Sequence, residues 1–322
     1  MNFIFPVAAC ALFAAASPPV AGQTWPTKPI RLVAPNAPGG GSDAVARVLA
    51  ERLAPALGQQ ILVENRAGAG GRLAGEFVAK AAPDGYTLLM GTGATLVTVR
   101  ALYAKASYDP VRSFAPISRT ATTAYLLVAH PSVPAASVKQ LIAVAKSRPG
   151  GLTIASTGGG SPNHLAAELF QSLAGVRMVH VPYKGSAPGT LSVIQGETDL
   201  MFGNLVAALP HANSRRLKTL GISSAKRSAI VPDVPTIAEA GLPGFVVEQF
   251  YGLVAPAGTP GPIIKRLNDE VVARMPAPEV KRILEAQGTE VAVSTPDELS
   301  RLIATEIDRW TAIIQKAGIK PE

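Results

Sequence analysis

An α/β fold of two similar units, each a mainly parallel sheet flanked by helices, is predicted by three features of the 322-residue sequence. Short aliphatic runs alternate with amphipathic stretches of helical spacing, the rhythm of βαβ units. That rhythm begins at Ile30 and restarts in mid-chain near Ser137. The tetrapeptide Gly-Gly-Gly-Ser occurs at 39–42 and again at 158–161, each time between an apolar strand and a helix.

Ile30-Arg31-Leu32-Val33-Ala34 is the first predicted strand. A helix follows over 43–57, where Val45, Val48, Leu49, Leu53 and Ala56 share a face and Gly58 is the stop. Ile61-Leu62-Val63 and Thr87-Leu88-Leu89-Met90 are the next strands. In the second unit, Ser137 and Gln140 form a capping box that opens a helix through Lys146. Leu152 to Ala155 is a strand, and Leu165, Leu169 and Leu173 are the apolar stripe of a helix closed by Gly175. Met178 to Val181, Leu200 to Phe202 and Leu217 to Ile222 continue the sheet. The rest is more helical. Thr259-Pro260 and Thr295-Pro296 read as N-cap residues followed by N1 prolines. Thr295 and Glu298 form a second capping box, and Leu299, Leu302, Ile303, Ile307, Trp310 and Ile314 line one face after it.

Hydrophobic residues make up 48% of the chain and charged residues 16%, enough for a sizeable core and too apolar for disorder. The net charge of +8 suits anionic partners, but the basic residues are dispersed. The densest group, Arg215, Arg216, Lys218, Lys226 and Arg227, lacks interleaved aromatics and any nucleic-acid fold signature, so no nucleic-acid partner is expected. Residues 1–22 carry no charged side chain and read as a signal peptide: an apolar run from Phe3 to Ala16, a Pro18-Pro19 breaker, then small residues at a cleavage site near Ala21 or Gly22. A lipoprotein-like Val7-Ala8-Ala9-Cys10 sits too early to be used. Cys10 is the only cysteine, so the processed chain has neither thiolate metal sites nor a cysteine nucleophile. His130, His164, His180 and His211 lack metal-ligand spacing, and neither metal nor cofactor is expected.

The two glycine loops carry the chemistry. A helix N-terminus leaves backbone N–H groups unpaired and bears partial positive charge, and glycine lets an anion come close. Ser42 and Ser161 add hydroxyl donors, so two such loops facing one cleft suit the carboxylates of a small ligand. Asp43 has two possible roles, capping the helix or orienting loop N–H groups and water. His164, at N3 of the second helix, is either a cap contact or part of the ligand shell. Gly40-Gly41-Ser42-Asp43-Ala44 approaches a nucleophile elbow. However, Asp43 would set a carboxylate beside the oxyanion, and Pro162 after Ser161 has no N–H to offer. The stretch from Gly68 to Gly75 fails the dinucleotide fingerprint because Leu73 stands at the third glycine.

Several segments together resemble the periplasmic solute-binding proteins of tripartite tricarboxylate transporters, the TctC-like Bug receptors. They include Trp25-Pro26-x-Lys28-Pro29-Ile30-Arg31, Pro38-Gly39-Gly40-x-x-Asp43, Asn65-Arg66-x-Gly68-Ala69-Gly70-Gly71, Pro83-Asp84-Gly85-Tyr86-Thr87, Gly160-Ser161-Pro162-x-His164-Leu165, Val181-Pro182-Tyr183-Lys184-Gly185 and Pro232-Asp233-Val234-Pro235-Thr236. The resemblance implies a two-lobed, type II Venus-flytrap receptor in the periplasm, not an enzyme. It would be a monomer that captures a di-, tri- or aromatic carboxylate and hands it to transporter membrane subunits in a transient encounter. A secreted sensor of the same ligand, or a hydrolase on the same scaffold, is the alternative. One lobe is expected at 24–124 plus 248–322 and the other at 125–247, with crossovers at Thr122–Ala129 and Glu248–Ala255. By position, the resemblance implies ligand contacts from Pro38, Gly39, Gly40, Ser42 and Asp43 in one lobe. It implies Ser156, Thr157, Gly158, Gly160, Ser161 and His164 in the other, Thr92 as a third wall, and Asn204 near the cleft. The chain departs from the family pattern at Arg72, where Asn is usual, and at Gly203 before Asn204, where Asp is common.

Overall fold

The computed structural model describes residues 25–317, apart from 104–105, 159–160 and 184. The expected signal peptide and Gly160 therefore lie outside the described residues. The first half contains β1 (Ile30–Ala34), α1 (Gly41–Leu57), β2 (Ile61–Asn65), α2 (Arg72–Ala79), β3 (Thr87–Thr92) and the short α3 (Val99–Leu102). A 16-residue strand, β4 (Phe114–Ala129), leads into the second half. There α4 (Val138–Ser147), β5 (Thr153–Ser156), α5 (Pro162–Ala174), β6 (Val179–Pro182), α6 (Ser186–Gln195), β7 (Leu200–Asn204), α7 (Leu205–Asn213) and β8 (Lys218–Ile222) follow. The chain returns through β9 (Glu248–Pro256) and ends with α8 (Gly261–Arg274), α9 (Pro278–Glu285), β10 (Glu290–Val291) and α10 (Pro296–Ala317).

The sheet is mixed. Its strand order is β2-β1-β3-β9-β4-β7-β5-β6, with β8 and β10 also paired to β4. The βαβ runs give the parallel parts: β1 with β2 and β3, and β5 with β6 and β7. The two long strands run antiparallel to their neighbours. Residues 114–124 of β4 pair with β9, and residues 125–129 pair with β7 and β8. One strand thus changes partners between Ala124 and Tyr125 and belongs to both halves.

Local signals account for most element ends. Gly58 and Gly175 close α1 and α5 in the left-handed region, at φ 69° and 63°, which glycine enters without a Cβ penalty. Ser137 caps α4, and Thr295 with Glu298 forms the reciprocal box at α10. Two expectations are corrected. Leu173 is 45% exposed, because α5 turns its buried face to Ala166 and Phe170 instead. Helix α8 starts at Gly261, with Pro260 in the N-cap position, and Thr259 donates its hydroxyl to the Pro256 carbonyl at 2.8 Å.

The core explains what holds the halves together. Ile30, Leu32, Val45, Leu49 and Leu53 pack with Leu267 and Val271 of α8 in the first half. Phe170, Phe202 and Phe245 form an aromatic group in the second, with centroids 5.5–6.2 Å apart, close to the favoured spacing of ring pairs. Helix α10 joins them. Its Leu299, Ile303, Ile307, Trp310 and Ile314 share one buried cluster with Val33 and Leu89 on one side and Leu165 and Phe170 on the other. Among the described residues no helix is long and apolar enough to cross a membrane.

Candidate functional site

Both glycine loops reach a cleft that divides into two chambers. The first, about 730 Å3, is lined by Gly39 to Gly41 and by the starts of α1, α5, α6 and α7. The second, about 600 Å3, lies between the 67–72 loop, the 92–103 segment and the second glycine loop. Asn36, Thr157, Pro162 and Gln249 line both and form the waist where they meet.

Asp43 organises the first loop. Its carboxylate accepts from the Gly39 N–H at 2.9 Å, from Arg47 Nε at 3.0 Å and from Asn65 Nδ2 at 3.0 Å. Burial by itself would raise its pKa, but the hydrogen bonds from Arg47, Gly39 and Asn65 outweigh that and hold it below the usual carboxylate range. Of the roles open in the sequence, orienting the loop is the one the geometry supports. The consequence for ligand donors is specific. The Gly39 N–H is taken by Asp43 and the Gly40 N–H by the Ala37 carbonyl at 3.0 Å. Helix α1 has no side-chain cap, so the N–H groups of Gly41, Ser42 and Asp43 are the ones helix geometry leaves available. Gly41 is required for a steric reason: a Cβ there would lie 2.2 Å from Tyr251 Oη. Burial pushes the Tyr251 phenol up to about 12, so it keeps its proton and presents an O–H to the chamber.

Three residues of the expected set stand differently toward the cleft. Ser42 is fully buried, donates to Asn36 Oδ1 at 2.6 Å and lines neither chamber, so it positions a waist residue. Pro38 is exposed and lines neither chamber. Thr92 lines the second chamber, its backbone N–H bonded to Thr95 Oγ1 at 2.8 Å.

In the second loop, Thr157 lines both chambers and donates to Asn163 Oδ1 at 2.8 Å, while Asn163 Nδ2 donates to the Phe202 carbonyl at 2.5 Å. Gly158, at φ 125°, and Ser161 line the second chamber, and Ser161 caps α5 by accepting from the His164 N–H at 3.4 Å. Ser156 is fully buried and lies beneath the loop, 2.6 Å from His180 Nε2 and bonded to the Gly158 N–H. His164 stacks on His180, with centroids 3.8 Å apart and planes 5° off parallel. Ser156 and His164 therefore support the loop and do not line either chamber. Gly39 to Gly41 of the first loop line the first chamber, and Gly158 and Ser161 of the second loop line the other.

The sequence reading missed much of the first chamber. Gly185 and Asn204 stand at the N-cap positions of α6 and α7, and neither helix has a side-chain cap. Asn204 is exposed and lines the first chamber, but the α6 terminus at Ser186 was not assigned a role. The positive φ of 120° at Gly185 is the local device that turns the chain into α6, and the Gly-Ser step was its only signal. The floor comes from alternate residues of the long strands, Thr123 and Tyr125 of β4 and Gln249 and Tyr251 of β9. Tyr125 donates to Gln249 Oε1 at 2.9 Å. Among the described residues no group of three or more His, Cys, Asp or Glu side chains is placed to hold a metal ion.

Comparison with known proteins agrees with this architecture. Residues 45–319 match the Tripartite tricarboxylate transporter family receptor. Protein BugT of Bordetella pertussis is 38% identical over 303 residues, 94% of this chain and 93% of that protein. Among solved structures, R. palustris Rpa4515 with adipate shares 37% identity at a TM-score of 0.79, covering 92% of this chain and all of that one. MatC (Rpa3494) from Rhodopseudomonas palustris with bound malate shares 35% at 0.74, covering 90% of this chain and all of its own. The match across most of the chain, on a two-lobed α/β scaffold with its cleft between glycine loops, places this protein in the tripartite tricarboxylate transporter receptor family.

Proposed function

We propose that the chain is a periplasmic receptor that captures a small carboxylate in the first chamber and presents it to the membrane subunits of a tripartite transporter. The observation that carries this is the set of three helix N-termini, those of α1, α6 and α7, that border one cavity without side-chain caps. Each offers backbone N–H groups and partial positive charge, so together they favour an anion. Asp43, the one carboxylate among the described lining residues, is neutralised by Arg47 at 3.0 Å and does not oppose it. Relatives solved with adipate and malate support a carboxylate as the ligand class. Ser42, bonded to Asn36 and buried, is poorly placed as a nucleophile, which favours a receptor over a hydrolase.

The receptor is exported by its signal peptide, residues 1–22, which is then removed, and it works as a monomer. Its lobes are 24–124 plus 248–322 and 125–247, and they close about β4 and β9, whose partner exchange at Ala124 and Tyr125 suits a hinge. A thermal-shift screen of di- and tricarboxylates, aromatic carboxylates and acidic amino acids tests the ligand class. A ligand at 100 times its Kd stabilises by about 2.7 kcal/mol. The reading fails if no carboxylate raises the melting temperature while the protein is folded.

A further inference from the structure

We propose that Arg72 makes the second chamber an anion subsite, so that this receptor selects elongated dianions, dicarboxylates with an apolar spacer, over monocarboxylates of the same length. The inference rests on the reading of the first chamber as a carboxylate site.

Arg72 is the one charged side chain among the described residues that line the second chamber. The loop before it fixes its place: Gly71, at φ 88°, packs so closely that a Cβ would lie 2.8 Å from both Pro35 Cβ and Thr95 Cγ2. The guanidinium keeps unused capacity. Its Nη1 pairs with Glu76 Oε1, while its Nε is buried and has no hydrogen-bond partner among the described residues. A guanidinium has five N–H donors, and one carboxylate does not satisfy them. Its carbon lies 5.6 Å from the ring centroid of Tyr103, which lines the same chamber.

Helix stability does not account for this arginine. It is the first residue of α2, where a cation opposes the helix dipole, and the order Arg72 then Glu76 is the less favourable order for an i,i+4 pair. The other such pair in the cleft, Asp43 with Arg47, has the favourable order, and both of its members bond to Asn65 as well. The chamber wall is mixed: Ala69, Ala94, Val99 and Leu102 give it apolar surface beside the polar Thr92 and Thr98. A ligand with one carboxylate among the helix N-termini can pass the waist at Asn36 and Gln249, lay methylenes or an aryl ring on that wall, and set its second carboxylate against Arg72.

Calorimetry on the full mature chain tests this with hexanedioate and octanedioate against hexanoate and octanoate, in the wild type, Arg72→Gln and Arg72→Lys. The wild type is expected to prefer each dicarboxylate by roughly tenfold or more, the size of one hydrogen bond to a charged group. Arg72→Gln should erase that preference and leave monocarboxylate affinity unchanged, and Arg72→Lys should keep part of it. Melting temperatures without ligand establish that the variants fold. Equal loss for both ligand classes in Arg72→Gln, or an unchanged preference, overturns the proposal and leaves the first-chamber site standing. If no mono- or dicarboxylate binds the wild type, both readings fall together.

Discussion

Asp43 shows how one side chain can shape a loop that borders a cavity. It ties the Gly39 N–H, Arg47 and Asn65 together at the base of the first loop. Asp43→Asn is expected to destabilise the fold by about 1.5–3 kcal/mol at neutral pH, the range for buried hydrogen bonds to charged groups. Its pKa is lower in the folded state than the ordinary 3.8, so its contribution is complete above that value and is lost as pH falls through the folded-state value. Urea denaturation should therefore show the gap between wild type and variant closing only below about pH 4. The two loop serines act through structure as well. Ser42→Ala removes the bond to Asn36 and Ser161→Ala removes the α5 cap, each lowering stability by about 1 kcal/mol in the same assay. Serine was legible as important at both positions because it follows a glycine run at a helix start. The hydroxyl's direction was not legible, because the acceptor of Ser42 lies six residues back across the loop.

At the scale of elements, the fit of α1 against β9 sets the depth of the first chamber. Gly41→Ala places a methyl 2.2 Å from Tyr251 Oη and 3.1 Å from Cζ, so helix and strand must separate or the ring must swing into the cavity. Carboxylate binding is expected to weaken by at least roughly tenfold, since misplaced N–H groups lose charge-assisted hydrogen bonds. Tyr251→Phe in the same protein should recover part of the loss. Calorimetry on the two single variants and the double variant checks this, and the absence of any coupling between the sites would show that the contact is unimportant. Which helices exist was legible from caps, stops and stripes, and Gly58, Ser137 and Thr295 act as their types dictate. That α6 and α7 point their starts at the same cavity as α1 was not, because a cap or turn residue marks where a helix begins and not which cavity it faces.

For the whole molecule, closure about β4 and β9 is expected on binding, with helix α10 limiting its extent because its buried face contacts both halves. Small-angle scattering should show a smaller radius of gyration with a bound carboxylate than without. An unchanged radius with binding verified by calorimetry would argue for a preformed, rigid cleft.

The α/β class and the repeat of the strand–loop–helix unit were determined by the sequence itself, because turn residues, caps and periodicity act over a few neighbours. Tertiary structure decided which groups face the cavity. Residues that meet in the cleft, Asn36 and Gly41, Asn204, and Gln249 and Tyr251, come from three stretches of chain far apart in sequence, the first glycine loop, the start of α7 and strand β9. The exchange of β4 from β9 to β7 and β8 depends on pairing between strands more than 70 residues apart, as from Tyr125 to Asn204. Hydrogen bonding across such distances is settled only when the sheet closes, and with it the shape of the site.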